Sequence, residues 1–500
     1  MNLPCLAEGR EKINYLPQIS RLKMFLRLLI ASALVGLVWC NNFVRMEREV
    51  RVGKGWELLS EAAPSTQLEL TFAVKLNNVE VLHDKLLKVS SPKSADYGKL
   101  LSYDEMRGMT DPKEESILHT IELLSQHGVS KFKIVGGFIK ATVDVKVAEK
   151  ILSTKYSTFK HSASGKVVVR CEEYSLPEKF AAHIDFVSPT VNFPRSFSVK
   201  AESAPAAVGQ NTPDSLRELY NVGTVQGGKS NGRQAVTAFL DQYYTESDLQ
   251  AFYAKYYPTL SGVPISNVVG PNDGRAGIEA SLDVEYMTTL GSGVPTEFWS
   301  YAGSQPDNVQ NEPFLDWLVD LGNTANPPWV FSTSYGEDEA SVSLEYATRM
   351  NQEFQKNSLR GITFLFASGD SGVGSAFGPC TTYTPQYPSD SPYVTAVGAT
   401  TGKNPETAAG LSSGGFSNRW ARPSWQDDAV AAYLSSAPNL PDASLYNATG
   451  RGFPDVSAQG TGFVVINAGI TVPAVAGTSA SSPTFGGIVG LLVSFKSCIV

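Results

Sequence analysis

Residues 184–500 contain no histidine; all five histidines of this 500-residue chain (His83, His119, His127, His161 and His183) precede them. A Ser-His-Asp hydrolase centred in the C-terminal half is thereby excluded. Cysteine is scarce too. Cys5, Cys40, Cys171, Cys380 and Cys498 are too few and too odd in number to form a disulfide scaffold, and they fix no pairing. Long apolar runs are missing except for one, Met24 to Cys40 (MFLRLLIASALVGLVWC), which follows basic Arg21 and Lys23. Its apolar core is as long as a signal-peptide core and short of the ~20 residues a spanning helix needs. Residues 24–40 are therefore expected to be a signal peptide, with 1–23 an upstream extension; a signal anchor is the other reading. No stable membrane anchor is expected elsewhere.

A surplus of basic residues is also absent where nucleic acid would require one. Residues 1–200 carry 28 Lys+Arg against 22 Asp+Glu, and residues 201–500 carry 13 against 27. The acidic second part argues against nucleic acid as a partner. The opposite signs predict that the two parts attract each other through ion pairs.

What is present is ordinary globular composition, 42% hydrophobic and 18% charged. LELTFAVKL from Leu68 alternates as a half-buried strand does. Helical spacing follows from Val79 and again over 117–126. KFKIV and FIKATVDV read as strands, a helix covers about 147–152, and KVVVRCEEY returns as a strand. That order predicts a ferredoxin-like α+β unit with an extra helix. The small, polar stretch 196–211 reads as a linker. Beyond it, apolar strands (AVTAFL, WVFSTSYG, ITFLFASGD, YVTAVGA) alternate with helical stretches. This predicts an α/β domain on a parallel sheet, with its chemistry at the carboxyl ends of strands.

Three fragments could carry chemistry. Ser479 lies in GTSASSP, a small-residue loop running into a helix predicted to open at Pro483. A helix N-terminus there would suit an oxyanion; an N-cap serine in a Gly/Ser turn explains the heptapeptide equally well. Glu279 and Asp283 stand four apart in GIEASLDVEYM, on one helical face. Held together in a low-dielectric site, one of two carboxyls keeps its proton; an exposed acidic face is the commoner arrangement. Asp370, in SGDSG, ends an apolar strand where a simple turn would also fit. A serine nucleophile needs a base within reach. With histidine missing and lysines sparse, a carboxylate base fits best, and it would work in acid.

GTSASSP, SGDSG and the ExxxD pair together resemble the sedolisin family of serine-carboxyl peptidases, as do RAGIEASLD, SYGEDEAS, SGGFSN, RGFPDVSA and the prodomain-like SPKSADYGKLLS. The resemblance runs from about Leu68 to Leu492. It implies a subtilisin-like parallel-sheet catalytic domain (212–500) preceded by a ferredoxin-like prodomain (41–195), with maturation cleavage in the 196–211 linker. Ser479 would be the nucleophile and Glu279 its general base. Asp283 would hold Glu279, and Asp370 would stabilise the oxyanion. The implied activity is an acid exopeptidase that releases tripeptides from peptides with free N-termini. It would be made as a zymogen inhibited by its own prodomain and carried by the secretory route to the lysosome or outside. A sedolisin-type endopeptidase and a truncated, non-catalytic product are the alternatives. The Asn447-Ala448-Thr449 sequon is compatible with that route. The resemblance also implies calcium, held by a loop after the serine helix. No Asp or Glu follows Asp455, so that loop is not found, and the domain is expected to be C-terminally incomplete. Glu337 and Ser375 depart from the family pattern, which has Asp and Cys there.

Overall fold

The computed structural model describes residues 42–47, 55–162, 165, 167–193, 210–228, 232–273, 275–301, 313–374 and 383–496. The expected signal peptide, nearly all of the linker, Ser375 and four of the five cysteines lie outside them. The fifth, Cys171, is buried and unpaired.

The N-terminal part is built on a four-stranded antiparallel sheet. Its order is Lys133–Val135, Phe138–Asp144, Gln67–Val74, Ile184–Ser188. Two strands flank each crossover, so this is the ferredoxin-like split βαβ order. Helices Leu82–Ser90, Tyr103–Thr110 and Glu114–Gln126 fill the first crossover. Ser102 and Glu105 form a reciprocal cap that starts the second of these. One expectation is corrected. KVVVRCEEY does not close the main sheet; Val167–Arg170 instead pairs with Ser157–His161 in a separate three-stranded sheet. Ile184–Ser188, only five residues long, is the closing strand.

The C-terminal part holds an eight-stranded sheet. Seven strands run parallel, in the order Asn267–Val269, Thr296–Tyr301, Gln234–Phe239, Val330–Thr333, Thr363–Ala367, Thr395–Thr401 and Val456–Gln459. The short strand Thr407–Ala408 adds an antiparallel edge. Alternate residues face two cores. Val236, Ala238, Val330 and Leu365 pack under helices Ile278–Leu290 and Thr478–Lys496. Ala235, Phe239, Phe331, Phe364 and Phe366 face the opposite way, against Pro313–Asn323 and Leu344–Ser358. There Trp317 meets the rings of Phe331, Phe354, Phe364 and Phe366 at centroid distances of 5.7–6.4 Å. Burial on both faces is why these strands read as nearly continuous apolar runs.

The N-terminal sheet docks on helix Leu344–Ser358, which starts at Ser343, the acceptor of the Tyr346 N–H. Arg349, fully buried, bonds Asp185 (2.9 Å) and the carbonyls of Val74 and Gly137, and it pairs with Glu353 along its own helix. Phe186 packs on Tyr346. Lys140 pairs with Asp316 at 2.7 Å. Ion pairs join the two parts as expected, Lys140–Asp316 with the polarity of the overall charges and the Arg349 anchor with the reverse. At that anchor the cation comes from the acidic part of the chain and the carboxylate from the basic part, because the charge of a whole domain does not dictate which side chains meet at its dock.

Candidate active site

Helix Ile278–Leu290 sits between two packed layers and is buried all round apart from its first residue. Its Glu279 and Asp283 therefore face protein, at 5% and 0% exposure. Burial pushes both carboxyls upward, and for Asp283 the neighbouring Glu279 adds to the rise. The Ser479 and Ser334 hydroxyls pull Glu279 back down, while Asp370 pushes it up. Ser334 Oγ donates to Asp283 Oδ1 at 2.7 Å. Glu279 Oε1 and Asp283 Oδ2 are buried without a partner. Two like charges in so dry a place do not both persist, so the pair holds a proton across the acid range.

Ser479 enters from the facing helix, which begins at Thr478 rather than at Pro483 as the sequence predicted. Ser479 thus belongs to the first turn. Pro483 has no N–H to give to the Ser479 carbonyl four residues back, and Ser334 Oγ reaches that carbonyl at 3.4 Å. The small residues of the heptapeptide follow from close packing. The Gly477 N–H bonds the Gly460 carbonyl, Ser481 bonds the carbonyls of Ala458 and Gln459, and Ser482 meets Ser332. Farther along, a Cβ on Gly487 would stand 2.6 Å from the Gly291 nitrogen. Larger residues would separate this helix from the one carrying the carboxyls.

Asp370 follows the carboxyl end of Thr363–Ala367. Its Oδ1 accepts from the Thr478 N–H at 2.7 Å and from Thr478 Oγ1 at 2.9 Å. Thr478 Oγ1 also accepts from the Gly369 N–H. A Cβ at Gly477 would sit 2.9 Å from Asp370 Oδ2, so glycine is required for this approach. Ser479, Asp370, Ser334, Thr478 and Gln386 line one open cleft, with the Glu279–Asp283 pair behind its serine wall.

All four candidate residues thus converge. Sequence reasoning assigned no role to Ser334 or Thr478. Ser334, in SYGED just past the carboxyl end of Val330–Thr333, could have been found by the strand-end rule. Thr478 carried no signal apart from its place in the heptapeptide.

Known proteins bear on this arrangement. The model of the Pro-kumamolisin activation domain matches residues 54–193, and that of the Subtilase family matches residues 309–497. Tripeptidyl-peptidase 1 of Homo sapiens is 39% identical over 476 residues, spanning 91% of this chain and 84% of the relative. Its counterparts in Mus musculus and Bos taurus are 38% and 37% identical, spanning 93% and 91% of this chain and 86% and 84% of their own lengths.

The chain belongs to the sedolisin family, alongside the tripeptidyl-peptidases 1.

It is an acid serine peptidase made as a zymogen, with an activation domain ahead of a subtilisin-like one. Ser479 and Asp370 fall inside the subtilase match. Glu279 and Asp283 lie ahead of it. Membership permits a calcium ion. The described residues do not fit a carboxylate cage for one: the single ligand cluster among them is Glu115, His119 and His183, in the prodomain. No helix among them is long and apolar enough to cross a membrane.

Proposed function

We propose that this chain releases tripeptides from the free N-termini of peptides in acid, through Ser479, Glu279, Asp283 and Asp370. The reading is carried by the carboxyl pair buried directly behind a serine at a helix start, in a domain without histidine. Glu279, beside the Ser479 hydroxyl, takes its proton as Ser479 attacks the scissile carbonyl. Asp283, held by Ser334, keeps the pair's remaining proton and orients Glu279. The oxyanion forms beside the first turn of the serine helix, where Asp370 is fixed by Thr478 and donates a proton to it when protonated. Glu279 then returns its proton to the leaving amine, and water hydrolyses the acyl-enzyme by the same route. Asp370 donates to the oxyanion only while it holds its proton, so activity is confined to acid.

The name borne by the relatives supports the tripeptide register. The prodomain acts as an intramolecular inhibitor, and self-cleavage within 196–211 frees the mature enzyme. The secretory route ends in the lysosome or outside the cell. The test is acidification of the purified precursor to about pH 4, near a carboxylate's ordinary pKa. Intact tripeptide released from a free-amine peptide is followed by mass spectrometry, with Ser479→Ala as control. Tripeptides that vanish in the variant support the reading; internal cleavage fragments would favour an endopeptidase. Absence of any product, with the prodomain retained, would refute it.

A further inference from the structure

A cluster of ligating side chains lies in the prodomain, well apart from the catalytic quartet in sequence and in fold. Glu115 and His119 stand one turn apart on helix Glu114–Gln126. His183 occupies the turn between helix Glu178–Ala181 and strand Ile184–Ser188. One ligand atom from each lies within 4.8 Å of the others. The imidazoles of His119 and His183 stack, with centroids 4.3 Å apart and planes inclined by 22°; a ring nitrogen binds metal in its own plane, so the His119 ring turns out of this stack when an ion enters. His119 Nε2 is 3.9 Å from Glu115 Oε1, a gap that an ion about 2.0–2.2 Å from each atom bridges with a small movement of the exposed glutamate.

The surroundings orient both rings. Ser116 Oγ lies 3.0 Å from His183 Nδ1, which leaves the other ring nitrogen as the ligand. His119 Nδ1 is buried without an aligned hydrogen bond, 3.3 Å from Glu122 Oε2. A hydroxyl and a carboxylate behind two imidazoles are the outer partners a metal site uses. The nearby cation, Lys179, is taken up by both oxygens of Glu122 at 2.6 and 2.7 Å.

We propose that Glu115, His119 and His183 bind a divalent ion of the Zn²⁺ type. Two imidazoles and one carboxylate, with water in the fourth position, suit zinc and not calcium or magnesium, which prefer all-oxygen shells. The ion clips helix Glu114–Gln126 to the turn that feeds strand Ile184–Ser188. That strand carries Asp185 and Phe186, which dock on Arg349 and Tyr346. Zinc therefore braces the prodomain where it grips the catalytic domain.

The test uses the full-length Ser479→Ala precursor, dialysed against zinc chloride alone at pH 7.5 and analysed for bound metal. The expected result is one Zn²⁺ per chain, with affinity lowered at least tenfold in His119→Gln and in His183→Gln, and lowered less in Glu115→Gln. Unchanged melting of the metal-free variants checks that their fold survives. Should a histidine variant misfold, the exposed Glu115→Gln carries the test. A zinc-dependent rise in melting temperature is expected in the parent and not in His119→Gln/His183→Gln. No uptake at tens of micromolar zinc overturns the assignment, as does uptake that persists in the double variant.

Discussion

Glu47 is the most consequential carboxyl at the prodomain dock. Only 1% exposed, it accepts from Tyr174 Oη at 2.6 Å, from Thr190 and Asn192, and from Ser343 Oγ of the catalytic part at 2.5 Å. Burial dominates these bonds and pushes its pKa from 4.5 to about 7. A carboxyl whose pKa is raised on docking and folding binds more protons in the native state. Its contribution is fully present below pH ~4.5, fades as pH climbs through the window up to about 7, and is absent above it. At 1.36 kcal/mol per pKa unit, the difference is about 3 kcal/mol. Glu47→Gln removes the charge and keeps the shape. In the Ser479→Ala precursor, which cannot cut itself, the variant should match the parent in urea at pH 4. At pH 8 it should exceed the parent by up to ~3 kcal/mol, roughly 1.5 M urea at a slope of ~2 kcal/mol per M. An identical pH dependence in the two proteins, or a variant weaker at pH 8, would refute this reasoning. Glu47 thus tightens the dock in acid.

Ser479→Ala should lower acid peptidase activity by about 10⁴-fold or more, and Glu279→Gln comparably, because the two act as a unit; hydrolysis of a tripeptidyl reporter measures both. Ser334→Ala leaves Asp283 Oδ1 buried without its donor and should cost about 1–3 kcal/mol in urea unfolding. Gly477→Ala pushes Asp370 off Thr478, so kcat should fall ~10²–10³-fold, as for loss of one oxyanion donor, with KM moved far less. Arg349→Met strips Glu353 and Asp185 of a partner at the dock. A loss of about 3–5 kcal/mol is expected for breaking a buried pair, read as earlier protease clipping of the Ser479→Ala precursor.

Much of this was legible in the sequence for definite reasons. Strands buried on both faces announce themselves as apolar runs, and the i, i+4 spacing of Glu279 and Asp283 survives any packing of their helix. The missing histidine pointed to a carboxylate base before any geometry was known. The illegible parts depend on approach from elsewhere in the chain. Pro483 looked like a helix start because proline favours first turns, yet the helix begins at Thr478. Ser334 matters only because Val330–Thr333 ends against Asp283. Arg349 sits in a helix whose polar pattern shows no cue for burial, and its partners across the dock lie more than 160 residues away. Counting charges by domain matches the polarity of Lys140 with Asp316 but not that of Arg349 with Asp185.

The acid character extends beyond the cleft. Burial raises Glu285, which accepts from the Ile466 N–H, and Asp390, which lies beside Glu339. Together with Glu47, Glu279 and Asp283, these residues take up protons on folding in several separate environments. Each contributes stability that fades as pH rises above the ordinary carboxylate range. Glu353 is the counter-example: Lys356 and Arg349 hold it below its ordinary value despite full burial, so its contribution is lost in acid instead. The difference lies in the partners: two cations bond Glu353 directly, whereas the rest meet hydroxyls, amides or other carboxyls, and at Asp390 the nearby Arg451 and Arg419 do not outweigh burial. A fold that buries so many carboxyls without a directly bonded cation is matched to acid independently of its chemistry. Neutralising the catalytic pair alone would therefore leave a marked fall in stability from acid to neutral pH.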